Sequence, residues 1–181
     1  SKQIAAKKIK EVGGLYVDVA VMEPVYPKQH LVPLFLSGNC TSKAKPILTA
    51  LPLNFRIIDG PVGRASSIKM VRSIMVKGME ALTAECTLAA TAAGVIDEVL
   101  PSLKTGHPHI DIESRATYNF ERSIVHGLRR AAEMEEVSKM LIDLGLPNNM
   151  SKASSAWQSP TLTMMAITRR ACLQALRPES A

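Results

Sequence analysis

The sequence predicts a mainly α-helical protein, in which a smaller α/β portion precedes a larger all-α portion built on one long helix. Two observations support this fold class. Short β-branched runs occur only in about the first third of the chain. After Gly63, apolar residues recur at the spacing of helical turns. Gly60 and Gly63 lie where the strand pattern gives way to the helical pattern. We therefore place the domain boundary there, with one domain over residues 1–62 and another over 63–181.

The α/β portion is predicted to run helix, strand, strand, helix, strand. The first helix ends at Gly13 and Gly14, because glycine commonly terminates helices. Thr41 or Ser42 is predicted to cap the second helix. A complete doubly wound nucleotide-binding sheet needs about six strands, so this portion supplies only part of such a sheet. The three predicted strands span residues 15–21, 33–38 and 54–60.

The all-α portion is predicted to contain four helices. Its first helix is long and covers residues 64–94, and a shorter one follows Gly94. Residues 151–159, SKASSAWQS, are predicted to be the connection that leads to the last helix. The remaining predicted helices cover residues 95–103, 113–144 and 161–176.

Composition argues against several functional classes. The net charge is +6, but only 4% of residues are aromatic and no nucleic-acid-binding motif is present, so nucleic acid is not an expected partner. A modest basic excess suits small anionic molecules better. No apolar run reaches the roughly 18 residues of a membrane span, and the start of the chain does not have the pattern of a signal segment. With three widely spaced cysteines, reduced thiols and a cytoplasmic location are expected.

The stretch DGPVGRASSIKMVRSIMVKGMEAL, residues 59–82, poses the main functional question. Within its predicted helix, a polar row follows the two glycines. From spacing alone, such a row is usually the solvated face of an amphipathic helix. The alternative is that Lys69 faces a substrate, with Arg72 and Ser73 at i+3 and i+4 on the same face. The row comprises Lys69, Arg72, Ser73, Lys77 and Glu80.

Histidines in the segment TGHPHID have spacing that a metal could use. His107 and His109 are two residues apart, and Asp111 follows. A zinc site needs three or four ligands, however, and the sequence offers no second cluster. We therefore predict a polar loop over residues 105–111 and no metal site.

Two segments carry a resemblance to a known family. The motifs YVDVAVMEPVYP (residues 16–27) and DGPVGRASSIKMVRSIMVKG (residues 59–78) are similar to those of the β-hydroxyacid dehydrogenase superfamily. This superfamily includes 3-hydroxyisobutyrate dehydrogenase and 6-phosphogluconate dehydrogenase. HGLRRAAEMEEV (residues 126–137) resembles a subgroup with a 6-phosphogluconate dehydrogenase-like C-terminal domain. The resemblance implies that residues 1–62 are the C-terminal portion of a Rossmann-like NAD(P)-binding domain, and that residues 63–181 serve dimerisation and substrate binding.

The resemblance assigns roles to several positions. Lys69 matches the family's catalytic lysine, which acts as general acid/base. Arg72 and Ser73 replace a pair of asparagines, so they are expected to contact substrate. Met22 and Glu23, followed by Pro24, stand where many members have the Ser-Gly-Gly segment that holds the substrate carboxylate. Both replacements suggest a substrate other than a simple short hydroxyacid.

Further contacts are expected from three other regions. On the helix of residues 113–144, the resemblance implies substrate contacts for His126 and Arg130 and a cofactor contact for Glu133. The alternative is an intrahelical ion pair of Arg129 or Arg130 with Glu133. Gly63 is expected beside the cofactor. Asp18, at a strand end, either contacts the cofactor or caps loop backbone, and the sequence favours neither role over the other.

The function implied is hydride transfer between NAD or NADP and a hydroxy acid or related carbonyl compound. The family's Gly-x-Gly-x-x-Gly phosphate turn does not occur in the sequence, so the chain resembles the C-terminal portion of such an enzyme. A homodimer built on the long helix is expected, with a small anionic substrate and no membrane partner. The alternative is a non-catalytic helical module that dimerises and binds substrate without a functional cofactor site.

Overall fold

The computed structural model describes residues 2–106 and 112–159. The chain divides into two compact units, Ser1–Arg72 and Ser73–Ala181. The predicted boundary between residues 62 and 63 lies next to the start of the long helix Arg64–Ala93, whereas the division into units falls about two turns inside that helix.

The first unit has the predicted order of elements. A helix is followed by two strands, a second helix and a third strand, and a short 3-10 helix, Gln29–Leu31, interrupts the connection between the first two strands. Each strand is shorter than the sequence suggested, because only part of each predicted run pairs with a neighbour. The elements are α1 (Lys2–Glu11), β1 (Asp18–Val21), β2 (Leu34–Ser37), α2 (Thr41–Thr49) and β3 (Phe55–Ile57).

The three strands form one sheet in the order β1-β2-β3. β1 pairs antiparallel with β2, and its register sets Asp18 opposite Ser37. β2 pairs parallel with β3, from Leu34 opposite Phe55 onward. Since α2 connects the two parallel strands, the arrangement is a βαβ unit with an antiparallel edge strand.

Two local predictions about helix ends have opposite outcomes. α1 ends as predicted: the amide of Gly13 donates to the carbonyl of Lys10 and that of Gly14 to Ile9, with Gly13 at φ +76°, which is a Schellman ending. The predicted cap of α2 is wrong. Cys40 occupies the cap position without a side-chain hydrogen bond, and Thr41 is already the first helical residue.

The core of the first unit joins β1 to the first turns of the long helix. Ala20 and Met22 from the β1 segment pack with Ala65, which is fully buried. Phe35 of β2 and Ile68 complete the cluster. Small residues at positions 20 and 65 allow the strand and the helix to approach closely.

Four helices make up the rest of the described chain. α3 is the predicted long helix and spans both units, and α4 and α5 also match predicted helices. Gly94, at φ +73°, separates α3 from α4. Residues 105 and 106 belong to α4 and not to a loop. The predicted last helix, residues 161–176, lies outside the described residues. The four are α3 (Arg64–Ala93), α4 (Ile96–Gly106), α5 (Ile112–Asp143) and α6 (Asn149–Gln158).

Helix α6 corrects the prediction of a connection over residues 151–159. Its buried face consists of Ser151, Ser154 and Gln158, at i, i+3 and i+7. Because this face is polar, it leaves no apolar periodicity in the sequence. The Ser155 hydroxyl donates to the carbonyl of Ala131 at 3.1 Å, which ties α6 to α5.

The apolar row of α3 is only partly covered within the chain. Ala81, Ala84 and Ala90 are buried. By contrast, Met75 is 64% exposed and Leu82 is 62% exposed. Small residues of α3 are therefore buried in the second unit, while the larger apolar residues Met75 and Leu82, seven positions apart, face outward.

Two further expectations concern the whole chain. In the described part, every helix is too short or too polar to cross a bilayer. Cys40 and Cys86 are free thiols and half-buried, and Cys172 lies outside the described residues. His107, His109 and Asp111 lie outside them too, and residues 2–106 and 112–159 contain no group of three acidic, histidine or cysteine side chains that could hold a metal.

Candidate functional site

The start of α3, the helix that carries Lys69, is hydrogen-bonded to a pair of residues on adjacent strands. Asp18 begins β1 and Ser37 ends β2, and the antiparallel register sets them opposite each other. Residues directly opposite on adjacent strands project to the same face of a sheet. Both are 0% exposed, so that face presents a buried carboxylate and a buried hydroxyl.

These two side chains accept amide protons from the first turn of α3. The Asp18 Oδ2 atom accepts from the amides of Gly63 at 3.2 Å and Ser66 at 3.0 Å. The amide of Ala65 donates to the Ser37 hydroxyl at 2.9 Å. Ser37 Oγ in turn lies 3.3 Å from Asp18 Oδ2, to which it donates. The first amides of a helix have no acceptor within the helix, so the sheet caps α3 from outside.

The charge of Asp18 is balanced by several groups. Its Oδ1 atom accepts the Ser66 hydroxyl proton at 2.7 Å and lies 3.0 Å from Lys2 Nζ of α1. Burial alone would raise the pKa of Asp18, but the hydrogen bonds from Ser66 and the charge of Lys2 outweigh it and lower the pKa below its usual value. Asp18 is therefore held as a carboxylate at neutral pH.

This geometry bears on two predicted cofactor contacts. The surroundings of Asp18 match the alternative in which it caps backbone amides, since its oxygens face donors from α1, β2 and α3. The amide of Gly63, at φ +102°, is already engaged by Asp18. Contacts of either residue with a cofactor remain predictions.

Arg72 joins the two regions of the predicted substrate site. Its Nη1 atom donates to the carbonyl of Met22 at 2.8 Å. The Met22 side chain is buried in the core cluster, and its backbone carbonyl is the group that binds Arg72. Glu23 is exposed and pairs with Lys28 at 2.5 Å. Lys69 is half-buried, one turn before Arg72 on α3.

A cavity of about 520 Å³ opens where β2 and β3 end. In parallel sheets, this carboxyl edge is the usual place for ligands. The cavity also adjoins the start of α2, whose first turn lacks a side-chain cap. Sequence reasoning did not select these residues as ligand contacts, although Gly38 and Gly60, at φ +115° and +135°, mark the strand ends. The lining residues include Gly38, Asn39, Thr41, Asp59, Gly60 and Pro61.

The second unit contains a buried ionic network between α3 and α5. Lys77 Nζ lies 2.7 Å from a carboxylate oxygen of Glu133 and 3.3 Å from the hydroxyl of Ser73. Glu133 also forms the alternative intrahelical pair, with Arg129 at 2.5 Å. Lys77 therefore connects Ser73 and Glu133, which the sequence selected as separate ligand contacts.

A second ionic pair lies deeper in the same unit. Arg130 of α5 pairs with Glu80 of α3, and their side chains are only 5% and 8% exposed. Gln158 of α6 donates to Glu80 at 3.4 Å and accepts from the Ser123 hydroxyl at 3.2 Å. Burial lowers the pKa of Arg130, and the charge of Glu133 acts against that shift.

The polar row of α3 is therefore not a solvated face. Ser73, Lys77 and Glu80 are 9%, 5% and 6% exposed, and only Arg72 of the row is exposed. Lys77 and Glu80 were visible in the sequence as members of the row, but their partners Glu133 and Arg130 lie on α5, 56 and 50 residues later. His126 is half-buried on α5.

Comparisons with known proteins give relatives for both units. The DUF1932 family, a domain of unknown function, matches residues 90–159. An uncharacterized 28.5 kDa protein in the 7S RNA 5′ region of Methanothermus fervidus is 29% identical, and the match covers 83% of this chain and 67% of that protein. A conserved hypothetical protein from Sinorhizobium meliloti 1021 is 35% identical, with a TM-score of 0.77.

Two more solved structures indicate the fold class. MTH1747, a conserved protein of unknown function with structural similarity to 3-hydroxyacid dehydrogenases, is 28% identical with a TM-score of 0.70 over 90% of this chain. 3-Hydroxyisobutyrate dehydrogenase from Salmonella typhimurium is 19% identical, with a TM-score of 0.62 over 94% of this chain, and supports the fold alone.

The match to the Sinorhizobium protein covers 91% of this chain. The chain spans 55%, 62% and 60% of the lengths of the three solved chains. In sequence and in fold, as its motifs predict, the chain is similar to the 3-hydroxyacid dehydrogenase-like proteins, with a match to the DUF1932 family over residues 90–159.

Proposed function

We propose that the protein is an NAD(P)-dependent oxidoreductase that acts on a hydroxy acid or related carbonyl compound, with Lys69 as general acid/base. The observation that carries the proposal is the 2.8 Å hydrogen bond from Arg72 to the carbonyl of Met22. It brings together, within one unit, the helix of the lysine and the loop that corresponds to the family's substrate-binding segment.

Lys69 is suited to proton transfer by its place on α3. It lies one turn before Arg72, on a helix whose start is fixed to the sheet. An oxygen that gains charge as its carbon accepts hydride needs a proton, and the reverse reaction must release one. In this proposal the ammonium of Lys69 gives that proton to the substrate oxygen, and its amine takes it back in the opposite direction.

Arg72 is the reason for proposing that the substrate is negatively charged. A guanidinium has five N–H donors in a fixed fork, and the bond to Met22 uses one of them. Its side chain is exposed, so other donors on the same group can bind a carboxylate or phosphate. The proposed substrate is therefore a small anion, consistent with the net charge of +6.

The cavity at the ends of β2 and β3 fits part of a nicotinamide cofactor. Its volume of about 520 Å³ lies within the usual range of ligand sites. Asn39 lines it next to the start of α2, and Asp59 and Thr41 offer side-chain oxygens. A bound nicotinamide cofactor supplies or accepts the hydride, and these residues would hold it.

A homodimer is part of the proposal, and the exposed apolar residues of α3 support it. Met75, Val76 and Leu82 are 64%, 37% and 62% exposed. Large apolar side chains at such exposure on one helix are typical of an interface with another molecule. The same observation also favours the second candidate function, a non-catalytic helical module that dimerises and binds substrate.

Nicotinamide fluorescence distinguishes the two functions. The protein as encoded is titrated with NADPH and with NADH, and turnover is followed with a panel of short hydroxy acids and oxo acids. We expect saturable binding of one cofactor and turnover of an anionic substrate. Lys69→Ala should keep the binding and lose turnover by about 100-fold or more, the usual contribution of a general acid/base, whereas Lys104→Ala, at an exposed lysine on α4, should keep both. The absence of binding to either cofactor would favour the non-catalytic module.

A further inference from the structure

We propose that Asp18 is a positioning residue for Lys69, and that Ser37 assists it: together they fix the first turn of α3 so that Lys69 keeps one orientation. This inference rests on the proposed role of Lys69. It differs from the cofactor contact expected for Asp18, because Asp18 would act through α3 and would touch neither substrate nor cofactor.

The anchor joins distant parts of the chain. Asp18 accepts from Gly63 and Ser66 across sequence separations of 45 and 48 residues, and Ser37 accepts from Ala65 across 28. A carboxylate at a helix N-terminus is also favoured by the positive end of the helix dipole. Fraying of the first turn would leave two fully buried polar side chains without these donors, which is costly.

A second attachment lies farther along the same strand and helix. Met22 directly follows β1, and its carbonyl accepts from Arg72. Between the two attachments, Ala20 and Met22 pack against Ala65, and Ile68 packs against that cluster. The strand segment 18–22 and the helix segment 63–72 therefore lie side by side, held at both ends and packed in the middle.

Lys69 lies between the two attachments. It is three residues after Ser66, which donates to Asp18 through both its amide and its hydroxyl, and three residues before Arg72. Three residues advance a helix by about 4.5 Å and return to nearly the same face. Fixing Ser66 therefore fixes the rotation of α3 at Lys69. Loss of the Asp18 attachment would leave only the Ala65–Ser37 bond before Lys69 and the Arg72–Met22 bond after it, among the contacts described for this segment.

The test measures the anchor and the lysine separately, in the protein as encoded. Hydrogen exchange reports on the amides of Gly63, Ala65 and Ser66. Reductive ¹³C-methylation gives each lysine an NMR signal, and the Lys69 signal is assigned by its loss in Lys69→Arg. The variants are Asp18→Asn, which keeps the shape of the side chain, and the milder Ser37→Ala. Glu136→Gln, at an exposed carboxylate of α5, is the matched control.

We expect Asp18→Asn to raise exchange at the three amides by about tenfold or more and to shift or broaden the Lys69 signal, while the signals of Lys104 and Lys152 stay in place. Ser37→Ala should raise exchange mainly at Ala65, with a smaller change at Lys69, and Glu136→Gln should change neither. If Asp18→Asn does not fold, Ser37→Ala carries the test.

Two results would overturn the inference. Unchanged exchange in the variants would mean that Asp18 and Ser37 do not hold the helix start. Raised exchange with an unchanged Lys69 signal would mean that they cap α3 without positioning Lys69. Neither readout uses turnover, so full turnover in Lys69→Ala would instead refute the proposed function and leave the anchor intact.

Discussion

Neutralising Glu80 should lower the free energy of unfolding, because it breaks a buried ion pair of the second unit. Glu80→Gln leaves Arg130 buried without its counter-ion, since the pair is only 5% and 8% exposed. Removing one partner of a buried ion pair typically costs about 3–5 kcal/mol of unfolding free energy. Glu133 also acts on Arg130 but is shared with Lys77 and Arg129, so we expect a loss near the lower end of that range.

Denaturant unfolding followed by circular dichroism measures this loss. At about 2–4 °C per kcal/mol for a chain of this size, a loss of about 3 kcal/mol lowers Tm by about 6–12 °C. Glu136→Gln is the control, because its pair with Lys139 is exposed on both sides and should change stability little. The double variant Glu80→Leu with Arg130→Met should recover much of the loss, since it leaves no unpaired buried charge. A stability of Glu80→Gln equal to that of the control would refute the reasoning.

Three other changes have expected outcomes. The pKa of Asp18 is lower in the folded protein than its usual value, so its carboxylate stabilises the fold above the unfolded pKa of about 3.9. This stabilisation disappears as the pH falls through the folded pKa. In urea unfolding, the free energy of unfolding should therefore decrease less between pH 5 and pH 3 in Asp18→Asn than in the unmodified protein. Gly38→Ala should cost about 1–3 kcal/mol in denaturant unfolding, because φ is +115° and the added Cβ would lie 2.8 Å from Val62 Cγ2; unchanged stability would contradict the backbone geometry at the strand end. Met75→Glu with Leu82→Glu should convert a homodimer to a monomer in sedimentation velocity, and a variant that sediments as a dimer would place the interface elsewhere.

The order of elements was predictable because its signals are local. The run ending at Val21 indicated a strand, and the glycines at 13, 63 and 94 indicated helix ends. α6 was missed because it buries serines and a glutamine, which carry no apolar period. Hydrophobic patterns thus identify elements whose buried face is apolar, and they fail where small polar residues form the contact.

The polar networks could not be predicted from the sequence for a different reason. Asp18 meets Ser37 only because of the β1–β2 register, and Lys77 meets Glu133 only because α3 packs beside α5. Each residue is unremarkable in its own segment. The Lys69 position, by contrast, was selected through the resemblance of residues 59–78, since spacing alone favoured a solvated face.

The proposed role of Lys69 is to move the proton in a hydride transfer. Its most direct test is a single-turnover reaction of the protein as encoded with 4-deuterated NADPH or NADH and a panel of small anionic oxo acids, with products analysed by mass spectrometry. We expect one deuterium on the new hydroxyl-bearing carbon of at least one acid, and little product with Lys69→Ala. Equal deuterium transfer by Lys69→Ala, or none by the unmodified protein with any acid or cofactor, would contradict it.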